Sequence, residues 1–326
     1  MKVCENCKSV FKKHLENCCY CNTKLLIPKK TDEFLKKFLE IDDKILKRFK
    51  EVRKETIKEA KKRLIKKGGL KAIGIAGSAR GQFDMAAESS NSEFLLIQAL
   101  EELKKNKVKT ELISLRKFNI KPCKACYSTT NTQCHFYCSC YPRGSATGDD
   151  MSNILYDKIL EADIIIFATP VNNFKMSTMM SLFLDRCISL DGSLAPADPR
   201  ATKNKELNIK HTKFVEIMAD EGIPGSGFFR RFNGKTAGVI VTGHEEGAAM
   251  VISSLFMTLN HFGMVFAPWS NVYAMSSITN PTYKDKKIVT SQEHIDDVKK
   301  MTINAYEMAK KLKEKPHEWS YDYSAN

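Results

Sequence analysis

Residues 71–96 read KAIGIAGSARGQFDMAAESSNSEFLL, a short apolar run followed by a small, polar segment. The run predicts a buried strand, since four of its first six residues are apolar: Ala72, Ile73, Ile75 and Ala76. A loop beginning at Gly77 leads to Ser89-Ser90-Asn91-Ser92, where a helical pattern starts. Hydroxyls and free N–H groups at a helix start favour an anion such as phosphate. The same residues also suit an ordinary Ser/Asn helix cap, so this stretch alone supports both interpretations.

Composition limits the class of protein. The chain has 326 residues, of which 43% are hydrophobic, so it can form one large domain with appendages. No apolar run approaches the roughly 20 residues that a membrane helix needs, and the first residues lack the apolar part of a signal peptide. We therefore expect a cytoplasmic protein that does not engage a membrane. In that reducing compartment, the eleven closely grouped cysteines indicate metal or redox ligands rather than disulfides.

Residues 1–27 contain two Cys-x-x-Cys pairs joined by a short spacer: Cys4, Cys7, Cys18 and Cys21. Four thiolates in this arrangement can surround one metal ion, which would supply the folding energy of so short a segment. The segment resembles a zinc ribbon. The competing interpretation is a rubredoxin-like iron site, but rubredoxins usually carry Gly after each pair, where Lys8 and Asn22 stand here. Zinc is therefore favoured, with Cys19 as a spare thiol.

Residues 28–69 form a basic linker. The chain's formal charge is +14, and residues 29–71 alone hold seventeen Lys or Arg against eight Asp or Glu. Spacing predicts a single helix over residues 31–67, ended by Gly68-Gly69, because apolar residues recur every three or four positions: Phe34, Phe38, Ile41, Ile45, Phe49 and Val52. We expect the helix to pack on the main domain. Its charge fits either a solvated face or a surface for nucleic acid or an acidic partner.

Residues 70–326 alternate strands with helices. Strands are predicted at 72–76, 108–115, 163–168, 237–242 and 264–268, and helices at 92–105, 153–160, 176–187, 248–262 and 291–313. Several strands are apolar throughout, which indicates an α/β domain with a doubly wound, five-stranded parallel sheet. Ligands bind at the carboxyl ends of such strands, where the loops 77–92, 169–177 and 242–247 lie. Two long regions, 116–149 and 191–235, match no helix or strand.

Three segments resemble the flavodoxin-like NADPH-dependent FMN reductase superfamily, and most closely its iron–sulfur flavoproteins. They are GSAR with the following SNS, PVNNFKMSTMMSLFLDR at 170–186, and VTGHEEGA at 241–248. The resemblance covers about residues 70–310 and implies non-covalent FMN at the carboxyl edge of a flavodoxin-like sheet. It also implies a homo-oligomer. The segment Gly81–Glu88 lengthens the phosphate loop relative to the family pattern.

Matching positions carry the family's FMN contacts onto this chain. The resemblance implies that the FMN phosphate is held by Ser78, Arg80, Ser90, Asn91 and Ser92. It implies that the isoalloxazine ring lies along Thr169, Pro170, Val171, Asn172, Asn173 and Phe174. A third loop would flank the ring with Thr242, Gly243, His244 and Gly247. No catalytic acid or base is expected, because the flavin itself carries the redox chemistry.

A second cysteine cluster lies in the insert 116–149: Cys123, Cys126, Cys134, Cys138 and Cys140. So many thiols within eighteen residues suit an iron–sulfur cluster or zinc, and free reactive thiols are the third interpretation. Iron–sulfur flavoproteins carry a four-cysteine motif at this place, so the resemblance implies a [4Fe–4S] cluster. The favoured ligands are Cys123, Cys126, Cys134 and either Cys138 or Cys140. We expect Cys187, on a predicted helix, to be a small core residue.

These features predict an FMN-dependent oxidoreductase that transfers electrons from a reduced donor to an acceptor. NAD(P)H and a ferredoxin-like protein both remain possible donors. The alternative is a redox-responsive module that binds nucleic acid or protein through the zinc ribbon and the basic helix.

Overall fold

The structure, a computed structural model, describes residues 1–65, 68–81, 84–85, 87–126, 133–220, 222–244 and 247–315. Parts of several predicted features lie outside these ranges. They are the end of the basic helix, three residues of the long phosphate loop, the middle of the cysteine-rich insert, two residues of the third loop and the last eleven residues of the chain.

The centre of the molecule is a parallel sheet of five strands: β3 (Lys71–Ala76), β4 (Lys109–Ser114), β5 (Ile164–Asn172), β7 (Thr236–Gly243) and β8 (Val265–Met275). Their spatial order is β4-β3-β5-β7-β8. Counted from β3, this is the order 2-1-3-4-5 of the flavodoxin-like fold, so the predicted fold class is confirmed. A two-residue strand, β6 (Lys175–Met176), pairs antiparallel with β5 and was not predicted.

Helices cover both faces of the sheet. One face carries α3 (Asn91–Lys105) and α9 (Gln292–Glu314). The other carries α4 (Tyr156–Glu161), α5 (Thr178–Cys187) and α7 (Ala248–His261). Side chains of β3 alternate between the two cores, with Ile73 and Ile75 on one side and Ala72 and Ala76 on the other. Cys187 is fully buried in the core that contains Ile73 and Ile75, as predicted.

Most of the main elements lie close to their predicted bounds, but several differ. β5 continues to Asn172, beyond its predicted end at residue 168, and the helix predicted over 153–160 is a π-helical turn, Met151–Leu155, that continues into α4. β8 continues to Met275, well beyond its predicted end at residue 268. The helix predicted from 176 begins at Thr178, because Lys175 and Met176 pair with β5 and Ser177 is the helix cap. A short helix, α8 (Asp285–Val289), follows β8.

The prediction of one helix over residues 31–67 is wrong. The segment forms two helices, α1 (Asp32–Leu39) and α2 (Asp43–Leu64). α1 ends at Glu40, whose φ of 53° is left-handed, and the Asp42 carboxylate begins α2 by accepting a hydrogen bond from Ile45 N at 2.7 Å. The apolar spacing concealed this break, because Ile41 still packs against the core.

The region 191–235 is not the structureless loop that the sequence predicted, since it contains helix α6 (Lys205–Met218). Phe214 of this helix and Leu194 share a hydrophobic core with Phe38 and Phe49 of the N-terminal helices. The N-terminal helices therefore pack on the main domain, as expected, and this region provides the contact. Across the described ranges, no helix combines the length and hydropathy that a membrane crossing would require.

The N-terminal ribbon consists of two short antiparallel strands, β1 (Lys2–Val3) and β2 (Val10–Phe11). Its interior is small and is formed largely by cysteines, with Phe11 and Leu25 beside them. Val3 belongs to the core that the N-terminal helices share with α6. The ribbon is therefore continuous with the packing of the rest of the chain.

Candidate functional site

The three predicted ligand loops leave the sheet at one edge. Ala76, the last residue of β3, pairs with Ala168 of β5, and Pro170 of β5 pairs with Thr242 near the end of β7. Because these strands are parallel and in register, the segments that follow them emerge side by side. The structure thus brings the predicted FMN residues to the carboxyl edge of the sheet, where ligands of this fold bind.

The predicted phosphate residues surround the start of α3. Ser90 is its N-cap: the Oγ atom accepts a hydrogen bond from Glu93 N at 3.1 Å and lies 3.2 Å from the Oγ of the fully buried Ser92. Ser78 Oγ accepts a hydrogen bond from Arg80 N at 3.2 Å, and the Arg80 side chain is exposed. The helix cap is therefore present. Phosphate binding by these residues and the half-buried Asn91 stays a prediction.

The second loop is a tight hairpin between β5 and β6. Its two central residues, Asn173 and Phe174, have φ angles of 50° and 61°, as in the turns that match strand twist. The Phe174 ring is half exposed. Asn172 pairs with Lys175, so the turn is held by the sheet itself. A rigid hairpin next to the phosphate loop can present backbone groups to a flat ring.

Thr169 and Ser177 hold this hairpin against the phosphate loop. Thr169 Oγ1 donates to Pro170 O at 3.1 Å and accepts from Ser177 N at 3.1 Å, so this buried hydroxyl is used within the protein. Ser177 Oγ donates to Gly77 O at 2.5 Å and accepts from Met180 N. The sequence prediction missed Ser177, although a Ser just before a helical pattern is a cap signal.

The third loop packs directly on the hairpin. A Cβ atom placed on Gly247 would lie 2.8 Å from Phe174 Cα and 2.9 Å from Val171 Cγ1, so a larger residue does not fit there without a shift. The carbonyl of Gly243 accepts from Ser276 N at 2.8 Å, which fixes the start of the loop. Thr242, just before it, is buried.

Helix α8 joins the first and third loops. Asp285 Oδ1 lies 2.9 Å from His244 Nδ1, and Lys286 Nζ donates to the Glu88 carboxylate at 2.7 Å. The hydrogen bond and charge of Lys286 lower the pKa of Glu88. His244 is therefore oriented by a carboxylate rather than exposed alone. Nothing in the sequence pattern connected these distant positions.

The four ribbon cysteines form a compact sulfur site. All four Sγ atoms lie within 4.8 Å of one another, with Cys4 and Cys21 3.5 Å apart and Cys7 and Cys18 3.4 Å apart. Zn–S bonds of about 2.3 Å place tetrahedral sulfurs roughly 3.8 Å apart, so the residues fit such an ion. Cys19 is exposed outside the group, as predicted.

The thiols of the ribbon site differ in pKa. Burial raises the pKa of Cys18 to about 12, whereas hydrogen bonds from Thr23 lower the pKa of Cys21 to about 6. Lys8 and Asn22, which follow the two pairs, both have a φ of 54°. They adopt the left-handed conformation that glycine takes most easily. The turn after each Cys-x-x-Cys pair therefore forms without glycine.

The second cysteine cluster is less compact than the ribbon site, which is the only group of three or more ligand atoms within 4.8 Å of one another among the described residues. Cys126 and Cys140 have sulfurs 3.4 Å apart, and Cys134 and Cys138 are buried beside them. The thiols of Cys134 and Cys140 lower the pKa of Cys126, and this interaction raises the pKa of both partners. The remaining thiol, Cys123, accepts a hydrogen bond from Ala125 N at 3.4 Å. Close sulfurs with amide donors suit an iron–sulfur cluster or zinc. The ligand set stays a prediction.

The chain is similar to known flavoproteins over its α/β domain. The family model of the NADPH-dependent FMN reductases matches residues 70–278. A curated iron–sulfur flavoprotein from Archaeoglobus fulgidus is 30% identical over 119 residues, which are 36% of this chain and 51% of the relative. The chain thus spans about half the length of that relative.

Among solved structures, RosB with a bound 8-demethyl-8-formylriboflavin-5'-phosphate intermediate superposes with a TM-score of 0.53 at 18% identity. The match covers 77% of this chain and 83% of RosB. At that identity the likeness supports the flavodoxin-like fold alone. The family match carries more, because it spans well over half of the chain and includes all three loops. The chain belongs to the NADPH-dependent FMN reductase family.

Proposed function

We propose that this protein is an FMN-dependent oxidoreductase that transfers electrons from a reduced donor to an acceptor. The observation that carries the proposal is the meeting of three loops, after β3, β5 and β7, at one edge of the sheet. Membership in the family supports FMN as the ligand. Bound FMN would supply the redox chemistry, and the protein would supply position and hydrogen bonds.

The chain's own residues have three tasks in this proposal. The N-terminus of α3, with Ser78, Ser90, Asn91, Ser92 and Arg80, binds the phosphate through N–H groups, hydroxyls and a guanidinium. The hairpin from Thr169 to Phe174 lies along the ring and offers its backbone N–H groups. The loop with Thr242, Gly243, His244 and Gly247 closes against that hairpin, as the contact between Gly247 and Phe174 suggests.

The proposal is tested by purifying the protein without oxygen and recording its absorbance together with its iron and zinc content. We expect bound flavin, or stoichiometric uptake of added FMN by protein that was purified without it. Mixing with NADPH should bleach the flavin absorbance if NAD(P)H is the donor. Bleaching only by a reduced ferredoxin would assign a protein donor. A protein that neither carries flavin nor binds FMN would contradict the proposal.

We propose zinc for Cys4, Cys7, Cys18 and Cys21, and a [4Fe–4S] cluster for the second cysteine group. The sulfur geometry of the ribbon supports the first assignment. The relative from Archaeoglobus fulgidus supports the second, since it is an iron–sulfur flavoprotein. About one zinc and four irons per chain are expected. Two zinc ions and no iron would refute the cluster.

We also propose a homo-oligomer in which a second copy covers the flavin edge. Met250, in the first turn of α7, is exposed near that edge. Further large apolar side chains are exposed along α7 and the outermost strand β8: Phe256, Met257, Trp269 and Tyr273. Such exposed apolar surface is typical of an interaction site. Light scattering on an eluting column peak would measure the mass, and a monomer at micromolar concentration would contradict this assembly.

Binding of nucleic acid is the second candidate function. Along α2, five exposed lysines recur at helical spacing, and none forms an ion pair with another residue that the structure describes: Lys44, Lys47, Lys54, Lys58 and Lys61. They extend over a helix about 33 Å long. Phosphate-driven binding must weaken steeply with salt. Affinity for RNA or DNA that is undetectable or independent of salt would exclude this function.

A further inference from the structure

Arg116 is a charged residue beside the phosphate loop that the sequence did not single out. It lies in the single 3-10 turn Leu115–Lys117, directly after β4 and at the same edge of the sheet as the ligand loops. Both terminal nitrogens of its guanidinium donate hydrogen bonds to the Glu93 carboxylate, and the Nη2–Oε1 distance is 3.1 Å. A two-point pair of this kind fixes the orientation of the guanidinium.

Glu93 places a negative charge close to the start of α3, where the phosphate is proposed to bind. It lies in the first turn of α3, three residues after the cap Ser90, and its side chain is buried. The free N–H groups of this turn attract an anion, but a buried carboxylate beside them would repel one. Arg116 cancels that charge. An arginine guanidinium stays charged in proteins, and the hydrogen bond with Glu93 further raises the pKa of Arg116.

Arg116 also borders the loop that leaves β3. A Cβ atom on Gly81 would lie 3.4 Å from Arg116 Nε, so the loop backbone passes close to the guanidinium. Gly81 N donates to Asp84 Oδ2 at 2.6 Å, which keeps this part of the loop turned. Arg80, the predicted phosphate ligand, is the preceding residue. The guanidinium of Arg116 therefore lies between the loop and the first turn of α3.

We propose that Arg116 is a positioning residue of the phosphate subsite: it neutralises Glu93 and so lets the dianionic phosphate of FMN bind at the start of α3. This inference rests on the proposed function. It predicts an effect that is specific to the phosphate, because riboflavin has the same ring and no phosphate. It further predicts that removing the Glu93 charge compensates for the loss of Arg116.

The test measures the affinity of metal-loaded, flavin-free protein for FMN and for riboflavin by quenching of flavin fluorescence. For Arg116→Met we expect FMN affinity to fall about tenfold or more, the range of a lost charge-assisted interaction, while riboflavin affinity stays within about threefold. The double variant Glu93→Gln with Arg116→Met should regain most of the FMN preference. Arg200→Met, a change of an exposed arginine, is the matched control.

The outcomes separate the possibilities. Equal loss of FMN and riboflavin in Arg116→Met, or no loss of either, would overturn the role of Arg116. So would a double variant that remains as poor for FMN as the single one. Should Arg116→Met fail to fold, Arg116→Lys keeps the charge and must keep the preference for FMN. A wild-type protein that binds neither flavin would instead contradict the proposed function.

Discussion

Gly247 is the residue where the candidate flavin site has least room. Its missing Cβ would lie 2.8 Å from Phe174 Cα, a backbone atom that cannot move without moving the hairpin. The requirement for glycine here is steric and follows from two loops that touch. The tightness of this contact suggests that the hairpin and the third loop act as one unit when they receive a ring.

We predict that Gly247→Ala destabilises the protein by about 1 to 3 kcal/mol, as overpacking usually does, and weakens FMN and riboflavin equally because it displaces the hairpin. Chemical denaturation and flavin titration measure both effects. Gly69→Ala is the matched control, since a Cβ there has nothing within 4 Å. Unchanged flavin affinity in Gly247→Ala would show that the hairpin does not contact the ring.

The ribbon cysteines permit an equally local prediction. Cys7→Ser should abolish stoichiometric zinc binding, because a structural zinc site requires all four ligands. Cys19→Ser should leave the zinc content at one ion per chain, since Cys19 is exposed and lies outside the sulfur group. Metal analysis of the two variants after dialysis decides the matter. Zinc retained by Cys7→Ser would remove that residue from the ligand set.

Residues near in sequence could be predicted, and residues that meet only through the fold could not. The pairs of ribbon cysteines were found because the spacing within each pair brings its two thiolates close enough to bind one metal ion. Ser90 was found because helix caps are local. Arg116 and Asp285 were missed because each meets its partner across more than twenty residues, through the sheet edge.

At the scale of elements, a buried ion pair anchors the cysteine-rich insert. Arg186 of α5 donates to both oxygens of Asp149, at 2.7 and 2.9 Å, and both side chains are almost fully buried. Its guanidinium also lies 4.6 Å from the ring centre of Tyr141, next to Cys140. The Tyr141 hydroxyl donates to Pro122 O. These contacts connect both ends of the insert to α5.

We predict that Asp149→Ala destabilises the protein by roughly 3 to 5 kcal/mol, because it leaves the Arg186 guanidinium buried without its counter-charge. Glu307→Ala, which breaks an exposed ion pair on α9, should cost at most about 1 kcal/mol. Urea denaturation of both variants measures the difference. Similar losses in the two variants would show that the buried pair does not hold the insert.

The elements also show why the basic segment was predicted as one helix. Periodicity reports which residues face the core, and Ile41 faces it whether or not the helix continues. The break depends on Glu40 and Asp42, whose capping roles compete with helix propensity and depend on backbone geometry. The same limitation hid α6, because its polar, lysine-containing surface resembles a loop until its core partners are known.

At the scale of the whole molecule, a buried arginine forms an ion pair with helix α2. Arg231, with a side chain 1% exposed, donates to both carboxylate oxygens of Glu59 on α2, each at 3.1 Å. Its guanidinium lies 4.2 Å from the ring centre of Phe136, within the cysteine-rich insert. Arg63 also donates to Glu59 at 2.7 Å. The basic helix thus supplies the counter-charge for an arginine in the body of the protein.

This pair predicts how stability depends on pH. Burial opposes ionisation of Glu59, yet Arg231 and Arg63 outweigh it, so the pKa of Glu59 lies below its ordinary value of 4.5. A carboxylate with a lowered pKa stabilises the fold above the pKa of the unfolded chain, and this contribution disappears as pH falls through the folded-state value. Glu59→Gln lacks the contribution at every pH.

We therefore expect Glu59→Gln to be less stable than wild type by roughly 2 to 4 kcal/mol at pH 7, because the Arg231 guanidinium stays buried without its counter-charge. The difference should shrink as the pH falls from about 4.5, where the carboxylate of the unfolded chain takes up its proton, through the lower pKa of the folded state. Denaturant titrations of both proteins at a series of pH values measure it, and Glu307→Gln serves as the surface control. A difference that stays constant down to pH 3 would mean that Glu59 acts through its shape and hydrogen bonds rather than through its charge.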